Sequence, residues 1–391
     1  MPRPHHTTTF TASDGALLTL TSSLPISSPD PSYIPTSPIL TFTGPTATTT
    51  AGTRARSASK ASVIAEEGPN YSRLILLLHG FSGSSEYFER NFRELGERHW
   101  VVAWDMRGHG GSGLRRKKRG KKGVEGEGQY ESYEGGYHVA RLAVDLKNML
   151  DFLKTSRLGL GVGHAGAGGG CQGQGPKPPL EIVGVGCSIG AAILWTYVEL
   201  FTDADFSGFV FVDQAPLQDR SMFGEWDETK ANKGCYDEKT MLGAQAAWNK
   251  ASEDRHATHL ALLDECLGYR FHPLPTDQVS EEEKKRDEAF FTAISAQCPS
   301  GAWLARLIAD HTRYDHREAC EGITKPVVVM GGKRSGCFSL EGMEEVVKRC
   351  RRSGNEKAEV SWYESGHWLF WEEAERFNGE VLEFARRCWS E

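Results

Sequence analysis

Five residues, Gly186-Cys187-Ser188-Ile189-Gly190, restrict what this chain can fold into more than any other stretch. They lie between the apolar run Leu180 to Val185 and the apolar run Ala191 to Trp195, so a Gly-x-Ser-x-Gly pattern stands where a strand would turn sharply into a helix. A serine at such a turn holds its hydroxyl clear of the sheet. Glycines two residues to either side remove the Cβ atoms that would collide there. Ser188 is therefore a candidate nucleophile. The same residues also describe a glycine-rich turn whose serine merely caps a buried helix, and partners further along the chain have to decide between the two.

Totals narrow the class. A length of 391 residues permits two or three domains, but a single large α/β domain with insertions also reaches this size. No stretch approaches the ~18 to 20 consecutive apolar residues of a membrane span. A formal charge of −7 argues against a general nucleic-acid binder, which needs a basic face for phosphates. The nine cysteines (171, 187, 235, 266, 298, 320, 337, 350 and 388) are odd in number, scattered and never arranged Cys-x-x-Cys. That pattern reads as reduced thiols of an intracellular protein, with neither a disulfide framework nor a zinc site expected. Met1 to Thr7 lacks the apolar core of a secretory signal, and a cytoplasmic location is the expectation.

Along the chain, Thr7 to Ser22 alternates polar and apolar residues around Asp14-Gly15, which predicts two antiparallel strands. Residues 23–70 are rich in Ser, Thr and Pro and read as a linker-like insertion. Arg73 to Leu78 is a short continuous apolar run, as in a parallel strand covered on both faces. It leads into His79-Gly80-Phe81, after which Phe88, Phe92 and Leu95 fall on one helical face. A further strand, Trp100 to Trp104, enters Asp105-Met-Arg107-Gly108-His109-Gly-Gly-Ser112, and Leu142, Leu146, Met149, Leu150 and Leu153 mark the next helix. Alternating strands and helices of this kind imply a mainly parallel sheet.

Two more insertions interrupt the series, at 114–135 and 157–179. The first contains the basic run 115–122, a solvated loop or else a nuclear address or a contact for an acidic partner. The second holds Gly161-x-Gly163-x-x-Gly166, nominally a dinucleotide fingerprint. It is rejected because the spacing arises from composition and no strand feeds it. After the strand Phe209 to Val212, ending in Asp213, residues 217–320 read as polar and helical, a cap inserted into a core formed by 1–216 and 321–391. The core resumes with the strands Val327 to Met330 and Glu359 to Tyr363, then Gly366-His367 and a closing helix.

Four segments in this order, His79-Gly80-Phe81, Asp105-x-Arg107-Gly108-x-Gly110-x-Ser112, the Ser188 turn and Gly366-His367, resemble the α/β-hydrolase superfamily, and most closely its capped esterase, lactonase and cofactor-free haloperoxidase-like branch. The resemblance covers nearly all of the chain outside the insertions. It implies an eight-stranded, mostly parallel sheet with helices on both faces, and a serine hydrolase acting on a small ester or lactone without metal or cofactor. His367, after the last strand, is then the base that activates Ser188, since imidazole can accept and return a proton near neutral pH. A satisfied structural histidine is the alternative. His79 and His109 belong to backbone-shaping motifs, and His256, His259 and His272 to the cap.

The third triad member departs from the family pattern. Most members carry an Asp after the seventh strand, where this chain has Gly331-Gly-Lys-Arg-Ser335-Gly-Cys337 without a carboxylate. Asp213, after the sixth strand, is the replacement, with a strand-end carboxylate as the alternative; Asp105 is expected to pair with nearby backbone or Arg107. Backbone N–H groups of Phe81 and Ile189 are the expected oxyanion hole, reinforced by the helix that starts at Ile189. Cys187 should point away from the site. Phe81 is expected to bind substrate as well, and Trp368 and Phe370 to line the pocket or simply to pack in the core. The same constellation also fits C–C bond hydrolysis, acyl transfer, or a catalytically silent scaffold that binds a partner. Oligomeric state leaves no signal in the sequence.

Overall fold

The computed structural model describes residues 5–26, 70–97, 99–116, 130–156, 179–219, 226–227, 229–234 and 237–389. Most of the first insertion (27–69), the basic run from 117 onward, the glycine-rich stretch 157–178, and Cys171 and Cys235 lie outside the described residues.

Among the described residues eight strands form one sheet: β1 His6–Thr11, β2 Leu17–Ser22, β3 Asn70–Leu78, β4 His99–Trp104, β5 Glu181–Cys187, β6 Gly208–Val212, β7 Val327–Gly332 and β8 Ala358–Tyr363. Their order across the sheet is β1-β2-β4-β3-β5-β6-β7-β8. β1 and β2 are the expected antiparallel hairpin, joined through Ala12–Ala16 with Gly15 at φ +83°. β2 also runs antiparallel to β4, and every later neighbour is parallel. A short ribbon, Leu114–Arg116 with Tyr130–Ser132, lies within the second insertion.

The continuous apolar runs are strands buried on both faces. Along β3, Leu74, Leu76 and Leu78 enter one core while Ile75 and Leu77 enter the other. β4 splits Trp100, Val102 and Trp104 from Val101 and Ala103 in the same way, and β6 splits Phe209 and Phe211 from Val210 and Val212. This is the period-two pleat carrying apolar side chains to both sides, which parallel sheets need because helices cover both faces.

Among the described residues the helices are α1 Glu89–Gly96, α2 Val139–Ser156, α3 Ile189–Phe201, α4 Glu238–Trp248, α5 His256–Cys266, α6 Gly268–Phe271, α7 Glu281–Ala296, α8 Gly301–Arg313, α9 Arg317–Glu321, α10 Leu340–Arg352, α11 Leu369–Glu372 and α12 Ala374–Trp389. α2 buries Leu142, Leu146, Met149, Leu150 and Leu153, the predicted stripe. α12 buries Phe377, Val381, Phe384, Ala385 and Cys388. α4 to α9 all lie between β6 and β7 in the chain. Among the described residues no helix is long and apolar enough to cross a membrane.

Parallel strands bring their carboxyl ends to one edge, where ligand sites of open α/β sheets form. The segments following β3, β5, β6, β7 and β8 therefore meet: His79–Phe81, Ser188, Asp213, Ser335–Cys337 and Gly366–His367.

Candidate active site

The turn at Ser188 is as sharp as its glycines suggest. Ser188 has φ +53° and ψ −121°, a conformation that costs a non-glycine residue of order 1–3 kcal/mol. A Cβ on Gly186 would lie 2.6 Å from the Ala191 nitrogen, and one on Gly190 would lie 2.5 Å from the Leu78 carbonyl oxygen. Side chains at either position would collide with backbone, so the turn can form only with glycine there. The Ser188 N–H donates to the Val212 carbonyl at 2.9 Å, tying the turn to β6. Cys187 is buried in the core beside Val185.

The loop after β3 approaches the serine directly, since a Cβ on Gly80 would meet the Ser188 Cβ at 3.4 Å. Among the described residues neither the Phe81 nor the Ile189 N–H has a protein acceptor. His79 holds the loop in place: its Nδ1 pairs with the Gly80 carbonyl at 2.7 Å, and its Nε2 accepts the Met106 N–H at 3.0 Å. Burial pushes its pKa down to about 4, so it is a neutral latch between the β3 and β4 loops. His109 acts likewise, accepting the Ser82 N–H at Nε2 and pairing with the Arg107 carbonyl at Nδ1. Asp105 accepts the Ser85 and Gly111 N–H groups, whereas Arg107 forms paired bonds to Asp145 and Asp14. Of the two partners expected for Asp105, the backbone is the one it has.

Asp213 and His367 are joined. The His367 Nδ1 lies 2.6 Å from Asp213 Oδ1, with Asp213 fully buried and His367 6% exposed. Asp213 itself has φ +45°. Ser335 donates its hydroxyl to Oδ1 at 2.8 Å and the Gly332 N–H donates to Oδ2 at 2.8 Å. The end of β7 and the loop after it, which lacks a carboxylate, thus supply one donor each to the carboxylate that follows β6. No hydrogen bond joins Ser188 Oγ to His367 among the described residues.

Two residues that sequence reasoning left out stand beside the imidazole. The Cys337 thiol lies next to His367, and its Sγ is 3.9 Å from that of Cys266 at the end of α5. The Cys266 hydrogen bond holds Cys337 below the ordinary thiol range, against burial and with help from His367. Burial opposes charge on His367, but Cys337 and Asp213 together raise its pKa above the usual imidazole range. The one signal for Cys337 in the sequence was its position, two residues past Ser335 in a loop that reaches the site edge.

Phe81 is half-buried, with its ring edge-on to Trp248 of α4 at 5.0 Å and to His109 at 6.4 Å. Trp303 of α8 contacts His109 at 5.5 Å and covers Gly108. Trp368 is 3% exposed; it stacks on Phe291 at 4.0 Å and leans on Tyr87 at 5.4 Å. Those contacts occupy the Trp368 ring as core packing, and Phe370 is likewise buried between Phe88 and Phe377. Two surface clefts, one of 440 Å³ beside Tyr137, Arg306 and Tyr314 and one of 680 Å³ beside Val198, Glu199 and Thr202, include neither Ser188 nor His367.

The alpha/beta hydrolase family model matches residues 75–380. Among solved structures, the chain is similar to an esterase from Exiguobacterium antarcticum, at 15% identity over 80% of this chain and 92% of that one, with a TM-score of 0.59. A bromoperoxidase from Bacillus anthracis has 17% identity, the same two coverages and a TM-score of 0.59. The enol-lactonase from Burkholderia xenovorans LB400 has 14% identity over 80% of this chain and 90% of that one, with a TM-score of 0.54. At such identities the likeness is one of fold. No curated protein sequence matches. The family match spans most of the chain, which therefore belongs to the alpha/beta hydrolase family.

Proposed function

We propose that this member of the alpha/beta hydrolase family is a serine hydrolase that cleaves a small carboxylic ester or lactone through an acyl-enzyme on Ser188. The observation that carries the reading is the 2.6 Å bond between His367 Nδ1 and Asp213 at the sheet edge where Ser188 stands in its strained turn. With Asp213 on Nδ1, Nε2 of the neutral imidazole is the nitrogen that takes the Ser188 proton as Oγ attacks the carbonyl carbon. Because, against burial, Cys337 and Asp213 raise His367 above the usual imidazole range, turnover should climb with pH as the ring loses its proton. The oxyanion that develops meets the Phe81 and Ile189 N–H groups and the amino-terminal end of α3. His367 returns the proton to the leaving alkoxide, then removes one from the water that hydrolyses the ester on Ser188. Bringing Oγ and Nε2 into bonding distance falls to substrate binding, since catalytic hydrogen bonds often tighten only in the complex.

Residues 217–320 act in this reading as a cap over the site. Its support is that Trp248 and Trp303, from α4 and α8, meet Phe81 and His109 beside the loop that approaches Ser188. Phe81 and Trp248 then supply the apolar wall for the acyl group.

A fluorophosphonate probe tests the nucleophile directly. Wild type is expected to label and Ser188→Ala to remain unlabelled; labelling that persists unchanged in Ser188→Ala removes the proposal. Turnover of p-nitrophenyl esters of increasing chain length is expected to show a preference that shifts in Trp248→Ala.

A further inference from the structure

The fold brings together two cysteines that are 71 residues apart in sequence. Cys266 closes α5 and Cys337 lies in the loop after β7. Their Sγ atoms are 3.9 Å apart, and a ring nitrogen of His367 lies with both inside a 4.8 Å span. Cys266 and His367 are buried, and Cys337 is partly open. In a tetrahedral zinc site with Zn–S bonds of about 2.3 Å, two thiolate sulfurs stand about 3.8 Å apart. The two sulfurs already have that separation.

We propose that Cys266, Cys337 and His367 form a binding site for a thiophilic divalent cation, best fitted by Zn²⁺, and that filling it silences the Ser188 centre. Two sulfurs and one imidazole select zinc over magnesium or calcium, which take oxygen ligands. Three protein ligands leave a fourth tetrahedral position for water. Where Nε2 is the ligand, Asp213 on Nδ1 is the carboxylate partner that metal-bound histidines commonly have. Silencing follows from either nitrogen: a metal on Nε2 removes the proton acceptor, and a metal on Nδ1 breaks the bond to Asp213. That consequence rests on the serine-hydrolase reading; the binding of metal does not.

The full-length, reduced, metal-free protein titrated with Co²⁺ provides an optical test. One equivalent is expected to produce thiolate-to-cobalt charge-transfer absorption that Zn²⁺ abolishes. Cys266→Ser and Cys337→Ser, each nearly isosteric, should lose that absorption, and Cys388→Ser, outside the cluster, should keep it. Absence of the band in wild type, or its full retention in Cys337→Ser, overturns the site. Zn²⁺ should also suppress ester turnover reversibly by chelator. In Cys266→Ser the concentration needed should rise by more than the roughly 10- to 100-fold that loss of an outer partner brings. Fluorophosphonate labelling of the metal-free protein separates the two readings. Labelled protein without the cobalt band sinks the metal site alone, and the cobalt band in protein that never labels upholds the site while removing the serine reading.

Discussion

Asp213 receives three hydrogen bonds, from His367, Ser335 and Gly332, and has no water-facing surface. Bonds to a buried carboxylate are charge-assisted and hold its orientation closely, so the imidazole it faces is held in one tautomer. Asp213→Asn keeps the shape but turns one acceptor into a donor, which favours the wrong tautomer of His367. On the proposed reading the expected loss is roughly 10⁴-fold in kcat with little change in KM, the size measured in a Ser-His-Asp enzyme, read from steady-state turnover of a p-nitrophenyl ester. Full turnover in Asp213→Asn would leave this carboxylate as a structural strand end. That Asp213 would face His367 was expected because the position after β7, where the family resemblance puts an acid, has none here and the end of β6 has one. The cysteines beside it were not. Cys266 and Cys337 look scattered along the chain, and only the crossing of α5 over the β7 loop makes them neighbours.

At the scale of elements, the sequence reveals most where a pattern repeats. The period-two filling of both cores by β3, β4 and β6, and the one-sided stripes of α2 and α12, follow directly from where apolar residues stand. Side-chain partnerships across elements are less legible. Arg107 reaches Asp145 on α2 and Asp14 in the hairpin loop, not Asp105, its near neighbour in sequence. The turn from β5 to α3 is the element on which the site depends, and its tolerance can be tested by a single methyl group. In Gly190→Ala the new Cβ would stand 2.5 Å from the Leu78 carbonyl oxygen and 3.0 Å from that of His79. Both obstacles are backbone, so β3 and α3 must separate. The expected destabilisation is about 1–3 kcal/mol or more, seen as a lowered urea midpoint, and probe labelling at Ser188 should fall with it. Gly379, whose Cβ would meet nothing within 4 Å, is the control position where alanine should be tolerated.

For the molecule as a whole, the buried titratable groups set how stability responds to acid. Burial lowers His79 and His259 to about 4 and His109 and His311 to about 3, from 6.5. These four stay neutral in the native state while the unfolded chain protonates them below pH 6.5. Their contribution is thus fully present above that pH and is lost as pH falls toward the folded values. Glu265 and Glu372 oppose them: burial raises both to about 7 from 4.5, so they hold protons in the native state that the unfolded chain releases. Burial raises Glu86 and Asp105 as well, which places them on the side of the two glutamates. His367, raised, keeps its proton in the native state and opposes the other histidines slightly, whereas Cys337, held low by the Cys266 hydrogen bond, has released a proton that the unfolded thiol keeps. Between pH 6.5 and 5.5 the unfolded chain carries on average about three of the four histidine protons and the Cys337 proton, against about two glutamate protons in the native state, so it binds roughly two more. Stability should fall on acidification by roughly 3 kcal/mol per pH unit, at about 1.4 kcal/mol for each net proton. Urea unfolding at pH 6.5 and pH 5.5 measures the slope, and Glu372→Gln, which keeps an acceptor for the Gly366 and Gly268 N–H groups, should steepen it. A midpoint that rises on acidification in wild type would mean that the glutamates, not the histidines, govern the acid limb of this fold.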